Sequence, residues 1–540
     1  MGAALRDLGP PPYCTVPGMV RYLTAAHGDA ELIVAGDERL TYADAEARSA
    51  ELARGLVALG VCKGTRVGLL APTGPDWVIA ALAAWRTGAV LVPINTFVRA
   101  EELAWFVVHA DVQTLLARSS FLRHRYLDDL AAAAGFPDHP GPHHVAAFPS
   151  LRHVVVIGEG DVPAWAVSAA SLPTDLPEGF DAAVEEAVDA NDPAVIVYSS
   201  GSTSVPKGAI HPHATVVRLP YEVNHRRGLV AADRILMVMP FFWVGGMHHG
   251  FLAAYGAGAC MMTQEAFDIE NAIEAIEREH VTIVFCWPHQ AAAISAAPAF
   301  ATRDTSSLRT GSRNMVLPSD RVEDLTHRSN WLGMSETFGA HLIAPMDTVL
   351  PPEARGSSGQ SLPGIEHRLV DLETGAECGP GQIGVLDVRG YSLMSGRVRA
   401  AREDVFLSDG WYRTGDLGHF DANGFFFFAG RNDDVIKAGG VNVSPDEIET
   451  VLRGVDGVKA AYVVGVPDAR TGVSVIAAVV ARDGAQVDEG TVLDAARARL
   501  SAYKVPRRIV VVDEADVPMT ATGKVRRGVL AEALASECDK

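Results

Sequence analysis

The residues from Tyr198 to Gly208 read Tyr-Ser-Ser-Gly-Ser-Thr-Ser-Val-Pro-Lys-Gly. Small residues fill the front of this stretch: Ser199, Ser200, Gly201, Ser202 and Thr203, then Ser204, with a lysine following Pro206. Hydroxyl side chains around a glycine leave backbone N–H groups open, the hydroxyls can donate as well, and Lys207 adds a positive charge. Such a loop can wrap an anion, and the chemistry it predicts is phosphate binding. A flexible Ser/Gly linker has a similar composition, but a linker does not normally follow a buried strand or carry a single cation. The apolar run Ala194-Val-Ile-Val-Tyr198 leads directly into the loop and reads as that strand. The GxxxxGK[ST] nucleotide loop is a different arrangement, since no Ser or Thr follows this lysine.

The loop resembles the signature loop of the adenylate-forming superfamily (acyl-CoA synthetases, adenylation domains, luciferases), and five more blocks follow in the order that resemblance requires. They are Gly333-Met-Ser-Glu-Thr337, Tyr412-Arg-Thr-Gly-Asp416, Gly430-Arg-Asn-Asp-Asp-Val-Ile-Lys437, the stretch opening Gly439-Gly-Val-Asn-Val, and Pro518-Met-Thr-Ala-Thr-Gly-Lys524. Leu40-Thr-Tyr42 and Gly88-Ala-Val-Leu-Val-Pro-Ile-Asn95 are similar to the superfamily's opening blocks, so the resemblance runs from about residue 40 to 530.

The resemblance implies a carboxylate–CoA ligase that uses ATP and Mg²⁺. The acid attacks the α-phosphate to give acyl-AMP and pyrophosphate, and the thiol of coenzyme A then attacks the adenylate. Ser199, Ser200, Gly201, Ser202, Thr203 and Lys207 would hold phosphates. Glu336 would be the metal ligand, because Mg²⁺ beside phosphates prefers a hard carboxylate oxygen. Asp416 would grip both ribose hydroxyls, since one carboxylate accepts two hydrogen bonds, and Arg431 would contact ribose or phosphate. Lys524 would bridge the attacking carboxylate and the α-phosphate as charge develops between them. Lys207, Glu336 and Lys524 are thus the expected catalytic residues. Asp433 would be the hinge about which the last domain swings, bringing Gly439 and Gly440 to the pantetheine tunnel, where paired glycines allow close approach. The same motifs would serve a ligase that loads a carrier protein, an adenylate-binding protein without turnover, or a luciferase-type oxygenase.

The implied acyl pocket includes Trp243, Gly245 and Gly246. Amino-acid adenylation domains carry an aspartate near position 243 to pair with the substrate's amine. A tryptophan offers no counter-charge, and a buried ammonium would be costly. An apolar fatty, aryl or steroid-like acid is expected instead. Three positions depart from the superfamily pattern: Ser204 replaces a glycine, Leu332 stands where an aromatic usually stacks on adenine, with Trp331 one residue early, and Leu308 to Asn330 is short.

To position these blocks, a chain of 540 residues needs more than one core. Alternating strand and helix patterns predict an α/β fold: a helix capped by Thr41 and running to about Leu59, a strand over 64–71, a helix over 76–86 and a strand over 88–95. Strand, helix, strand at this spacing implies a right-handed βαβ unit in a parallel sheet. Residues 123–144 read as a surface insertion, and Gly381 to Gly390 as a half-buried strand. The expected organisation is an N-terminal adenylation domain over 1–430, with α/β subdomains and a small β-rich one, followed by a small mobile α+β domain over 431–540. A net charge of −20 argues against nucleic-acid binding. No run of 18 apolar residues predicts a membrane span. Six scattered cysteines without a CxxC pair suit a reducing cytoplasm. The partners expected are the small acid, ATP and CoA, and a homodimer is left open.

Overall fold

The computed structural model describes residues 11–199, 206–309, 312, 316, 330–371, 374–431, 436–438, 441–443, 445–468, 472–482, 484–519 and 525–538. The fold is mixed α/β, with a large N-terminal part on two mainly parallel sheets, a β-rich part, and a small C-terminal part. Among the described residues no helix is long and apolar enough to cross a membrane.

Local signals shape the first units. Thr41 caps the helix Tyr42–Ala58: its hydroxyl accepts from the Asp44 N–H while the Asp44 carboxylate accepts from the Thr41 N–H. Strand Arg66–Leu70, helix Pro75–Arg86 and strand Val90–Pro93 come next, and the two strands pair in parallel with Val67 opposite Leu91. The helix is apolar on every side and is buried except at Asp76, as an all-round apolar helix must be. Its Trp77 meets Phe241 at 5.3 Å and Phe251 at 6.0 Å, edge to face. Arg86, the charge that interrupts the apolar run, is buried too, and donates to Glu185 at 2.5 Å and to Glu46 at 2.8 Å.

The larger sheet has eight strands in the order Gly396–Arg397, Lys207–Pro212, Pro193–Ser199, Val90–Pro93, Arg66–Leu70, Thr114–Ala117, His153–Val156, Val167–Ser168. It is parallel except at its first three strands, which pair antiparallel. The second sheet runs Ile283–Phe285, Arg234–Met237, Cys260–Thr263, Glu31–Ala35, Glu38–Thr41. Four antiparallel strands, Ile365–Val370, Gly384–Gly390, Tyr412–Phe420 and Phe426–Arg431, make the β-rich part. The C-terminal part packs helices Pro445–Arg453 and Glu489–Arg499 against strands Val458–Asp468, Gly472–Ala481 and Arg508–Val511.

Two expectations are corrected. The segment at 123–144 is surface chain only in part: it carries the helix Tyr126–Ala133, whose Tyr126, Leu127 and Leu130 are buried, and His143 is 1% exposed. The phenol of Tyr126 donates to the Thr96 carbonyl, so this segment closes one side of the large sheet's core. The strand at 384–390 is not half-buried; it is buried from Gly384 to Val388. Asp387, on the side expected to face water, lies beneath Arg368 and Arg413, which both donate to it.

At one end of the second sheet Glu279 accepts from Arg39, Arg234 and Arg278. Burial would raise its carboxyl, but the hydrogen bonds from the three arginines outweigh that and bring it from 4.5 down to about 2. A depressed carboxyl stabilises the fold fully above its ordinary value and stops doing so as pH falls toward the folded one. Glu279→Gln should therefore cost about 1.5–3 kcal/mol near neutral pH. In urea melts of both proteins, the gap should close as pH falls from 4.5 to 2.

Candidate active site

Strand Pro193–Ser199 pairs antiparallel with strand Lys207–Pro212, with Ser199 opposite Lys207. The expected phosphate loop thus begins and ends on two strands paired at the antiparallel edge of the large sheet. Ser200, Gly201, Ser202 and Thr203 themselves lie outside the described residues. Ser199 Oγ is buried with no hydrogen-bond partner among the described residues, a donor at the base of the loop.

The strand that Lys207 opens also holds the loop bearing Glu336. His211, fully buried on this strand, contacts the Ser335 carbonyl through Nε2 at 2.7 Å. A carbonyl can only accept, so Nε2 carries the proton and Nδ1 does not. Burial pushes His211 down to about 4, so the ring is neutral and keeps this one tautomer. Along the strand's outer edge Arg397 stands opposite Ala209. Its guanidinium donates to Glu336 Oε1 at 3.0 Å and to the Tyr412 hydroxyl at 2.7 Å. Lys207, Glu336 and Arg397, separated by up to 190 residues of chain, thus share one strand's neighbourhood.

Tyr412 begins the strand that carries Asp416. Between Arg413 and Leu417 this strand bulges against its partner, and Gly415 sits at φ +78°, a conformation that favours glycine. The bulge lets the Asp416 N–H turn back to Thr414 Oγ1 at 3.0 Å, and Asp416 is buried. The register places Arg431 directly opposite Asp416. The two residues expected to orient a ribose are thereby cross-strand partners.

A magnesium ion fits here only as a shared ligand. Among the described residues no three His, Cys, Asp or Glu side chains stand together as a metal site. Glu336 would supply one oxygen, and phosphates and water the others, the usual arrangement for Mg²⁺. Asp433, Gly439, Gly440 and Lys524 lie outside the described residues.

The expected acyl residues are differentiated. Gly246 is required by packing: a Cβ there would come within 2.1 Å of the Pro240 carbonyl oxygen, whereas at Gly245 the nearest atom is 3.7 Å away. Trp243 is half-buried among Phe242, Trp287 and Tyr503, ring centroids 4.9, 5.3 and 5.5 Å away. Leu332 faces the core of the β-rich part with Leu342, Leu369, Leu386 and Phe426. Neighbouring strand residues point to opposite faces, so Trp331, 39% exposed, is on the other side and stands 4.4 Å from the His249 ring.

Tyr503 belongs to the C-terminal part, and a polar clasp accompanies it. Lys504, 4% exposed, donates to Glu102 at 3.1 Å and to Glu447 at 2.8 Å. Ser501 also donates to Glu102, and Asn95 to the Tyr503 hydroxyl. Burial pulls the Lys504 ammonium down, but Tyr503, Glu447 and Glu102 outweigh it and hold it above its ordinary range. His211, Arg397 and Lys504 were not singled out from the sequence, because their partners are fixed by strand pairing and docking.

Comparison with known proteins identifies the family. Residues 21–396 match the AMP-binding enzyme model and residues 447–524 the AMP-binding enzyme C-terminal domain. The feruloyl-CoA synthase of Amycolatopsis sp is 32% identical, over 91% of this chain and 94% of its own. The 3-[(3aS,4S,7aS)-7a-methyl-1,5-dioxo-octahydro-1H-inden-4-yl]propanoyl:CoA ligase of Mycobacterium tuberculosis is 32% identical, over 96% and 98% respectively. Among solved structures, the amide bond synthetase McbA of Marinactinospora thermotolerans superposes with a TM-score of 0.78 at 26% identity, covering 95% of this chain and 99% of that one. The chain belongs to the AMP-binding enzyme family, within the adenylate-forming superfamily.

Replacing Lys504 by Met should leave two carboxylates facing each other across the clasp without their cation. Loss of one partner of a buried pair costs about 3–5 kcal/mol. We expect calorimetry of the variant to show the C-terminal part melting separately, with a larger radius of gyration by X-ray scattering; a single unshifted transition would rule out the clasp.

Proposed function

We propose that this AMP-binding enzyme is an ATP-dependent carboxylate–CoA ligase working through an acyl-adenylate. The observation that carries the reading is the convergence of Lys207, Glu336 and Arg397 on one strand, with Asp416 and Arg431 paired across the neighbouring sheet. The CoA-ester products named in two full-length relatives support thiol transfer.

In the proposed first step, Ser199 to Thr203 and Lys207 bind phosphates, and Asp416 and Arg431 orient the ribose. The neutral His211 holds the Glu336 loop without adding a charge that would compete for the phosphates. When bound through Glu336, Mg²⁺ would neutralise phosphate charge. The acid's carboxylate attacks the α-phosphorus and pyrophosphate leaves, with Lys524 stabilising the charge that spreads between them. We place the domain change at residues 430–431, so that 431–540 turns about Asp433 and exchanges Lys524 for Gly439 and Gly440 before the CoA thiol attacks. The Lys504 clasp would hold one of the two arrangements. An apolar acid is supported by the aromatic wall of Trp243, Phe97 and Trp287. The amide bond synthetase neighbour favours a second reading, in which an amine rather than a thiol receives the acyl group.

Product mass spectrometry tests this: enzyme, ATP, Mg²⁺ and CoA with a pool of fatty, aryl and steroid acids, with Lys524→Ala alongside. We expect acyl-CoA and AMP, falling by roughly two to three decades in the variant. An amide formed only when an amine is added would select the second reading. Acyl-AMP with neither product would point to a carrier-protein acceptor, and ATP binding without pyrophosphate release on any acid would overturn the ligase reading.

A further inference from the structure

Buried cations in this chain come with carboxylates: Arg86 with Glu46 and Glu185, Lys504 with Glu102 and Glu447. Arg227 breaks that pattern. It is 4% exposed, at the end of helix His213–Arg227, and pairs with no carboxylate among the described residues. Its one side-chain hydrogen bond there goes to His249 Nδ1 at 3.2 Å, and its guanidinium lies over the Phe285 ring at 5.1 Å. Nε has no partner. Burial pushes the guanidinium down to about 10, so it remains charged near neutral pH.

An arginine can only donate, so His249 Nδ1 must accept and its proton must sit on Nε2. That Nε2–H is buried and also has no partner among the described residues. Burial and the neighbouring guanidinium hold the ring well below its ordinary range and hence neutral. The pair therefore presents at least two N–H donors, polarised by one uncompensated charge, with no acceptor among the described residues. Left so, buried donors and a buried cation are costly.

Their position indicates what would satisfy them. His249 lies in Gly245–Leu252, a helix with wide π-type turns, a form frequent at functional sites. Gly245, where a Cβ would meet only Met239 Sδ at 3.7 Å, stands four residues before it on nearly the same face. On its other side His249 touches Trp331, the first residue of the strand whose far end, roughly 10 Å away at about 3.3 Å per residue, leads into Glu336. An acid entering past Trp243 and Gly245, with its carboxylate toward the Glu336 loop, would place its far end toward this pair.

We propose that Arg227 and His249 receive an oxygen acceptor, a ketone or a second carboxylate, at the far end of the acid. The preferred substrates are then apolar acids oxygenated distal to the reacting carboxyl. The inference rests on the ligase reading and narrows its substrate class.

Matched acids test it: one unsubstituted, one with a distal oxo group and one with a distal carboxylate on the same carbon frame, each assayed for pyrophosphate release and thioester formation. Wild type should prefer an oxygenated member at least tenfold in kcat/KM. Preference for the dicarboxylate would identify an anion as the occupant, and preference for the oxo acid a neutral acceptor. In Arg227→Met and His249→Phe the ratio of oxygenated to plain acid should collapse toward one, a change that a general loss of folded enzyme would not produce. Equal rates on plain and oxygenated acids in wild type, or a preference surviving both substitutions, would overturn the inference while leaving the ligase reading intact. No pyrophosphate from any of the three, when other acids in the pool react, would overturn it as well; none from any acid at all would sink the ligase reading beneath it.

Discussion

The candidate site hangs on the pairing of one short strand, Lys207–Pro212. On one side it completes a hairpin with Pro193–Ser199, and on the other it bonds to Gly396–Arg397. A strand has two edges and two faces, and this one uses three of those four surfaces for the site. Its first residue is the lysine, an outer-edge partner is the arginine that holds Glu336, and its buried His211 fixes the carbonyl before Glu336. Backbone hydrogen bonds set these positions to within a fraction of an ångström, a precision that flexible loops do not supply. Antiparallel pairing is what makes this work. In the parallel remainder of the sheet, neighbouring strands need long crossovers, and a connection as short as that between Ser199 and Lys207 could not join them.

Charge burial organises the rest of the molecule. Each buried charge has to recover its lost hydration from partners of opposite sign or an equivalent array of hydrogen bonds. Around Glu279 that requirement ties three arginines into the edge of a sheet, and around Lys504 it joins the C-terminal part to the first turn of helix Ala100–His109. A clasp built this way is strong in place but reversible, because Glu102 and Lys504 regain water if they separate. Apolar docking of equal strength would need a large face that became exposed on opening. Arg227 follows the same rule with no acceptor among the described residues, which is why it reads as a place for a ligand and not as packing.

Much of this was legible in the residues. Thr41 with Asp44 announces its helix, the apolar run from Trp77 to Arg86 is buried as its composition requires, and the strand before the Ser-rich loop lies where Ala194 to Tyr198 indicates. These signals are local: caps, periodicity and turn chemistry act between residues a few positions apart. The surface insertion expected at 123–144 holds only in part, for a related reason. Its His, Ala and Pro content resembles exposed chain, and only the large sheet behind it turns Tyr126 and His143 inward.

The order of the blocks identified the superfamily and named the residue types a phosphate, a ribose and a metal would need, because chemistry constrains which side chains can serve. Which groups meet is a different matter. That Arg397 binds Glu336, that Gly415 bulges the strand to bury Asp416, and that Leu332 turns into the core while Trp331 faces His249 all follow from strand register, bulges and docking. A register shift of one residue would reverse every one of those faces, and register is settled by the packing of the whole sheet. The sequence determines the chemistry available; the tertiary structure decides which partners it is spent on.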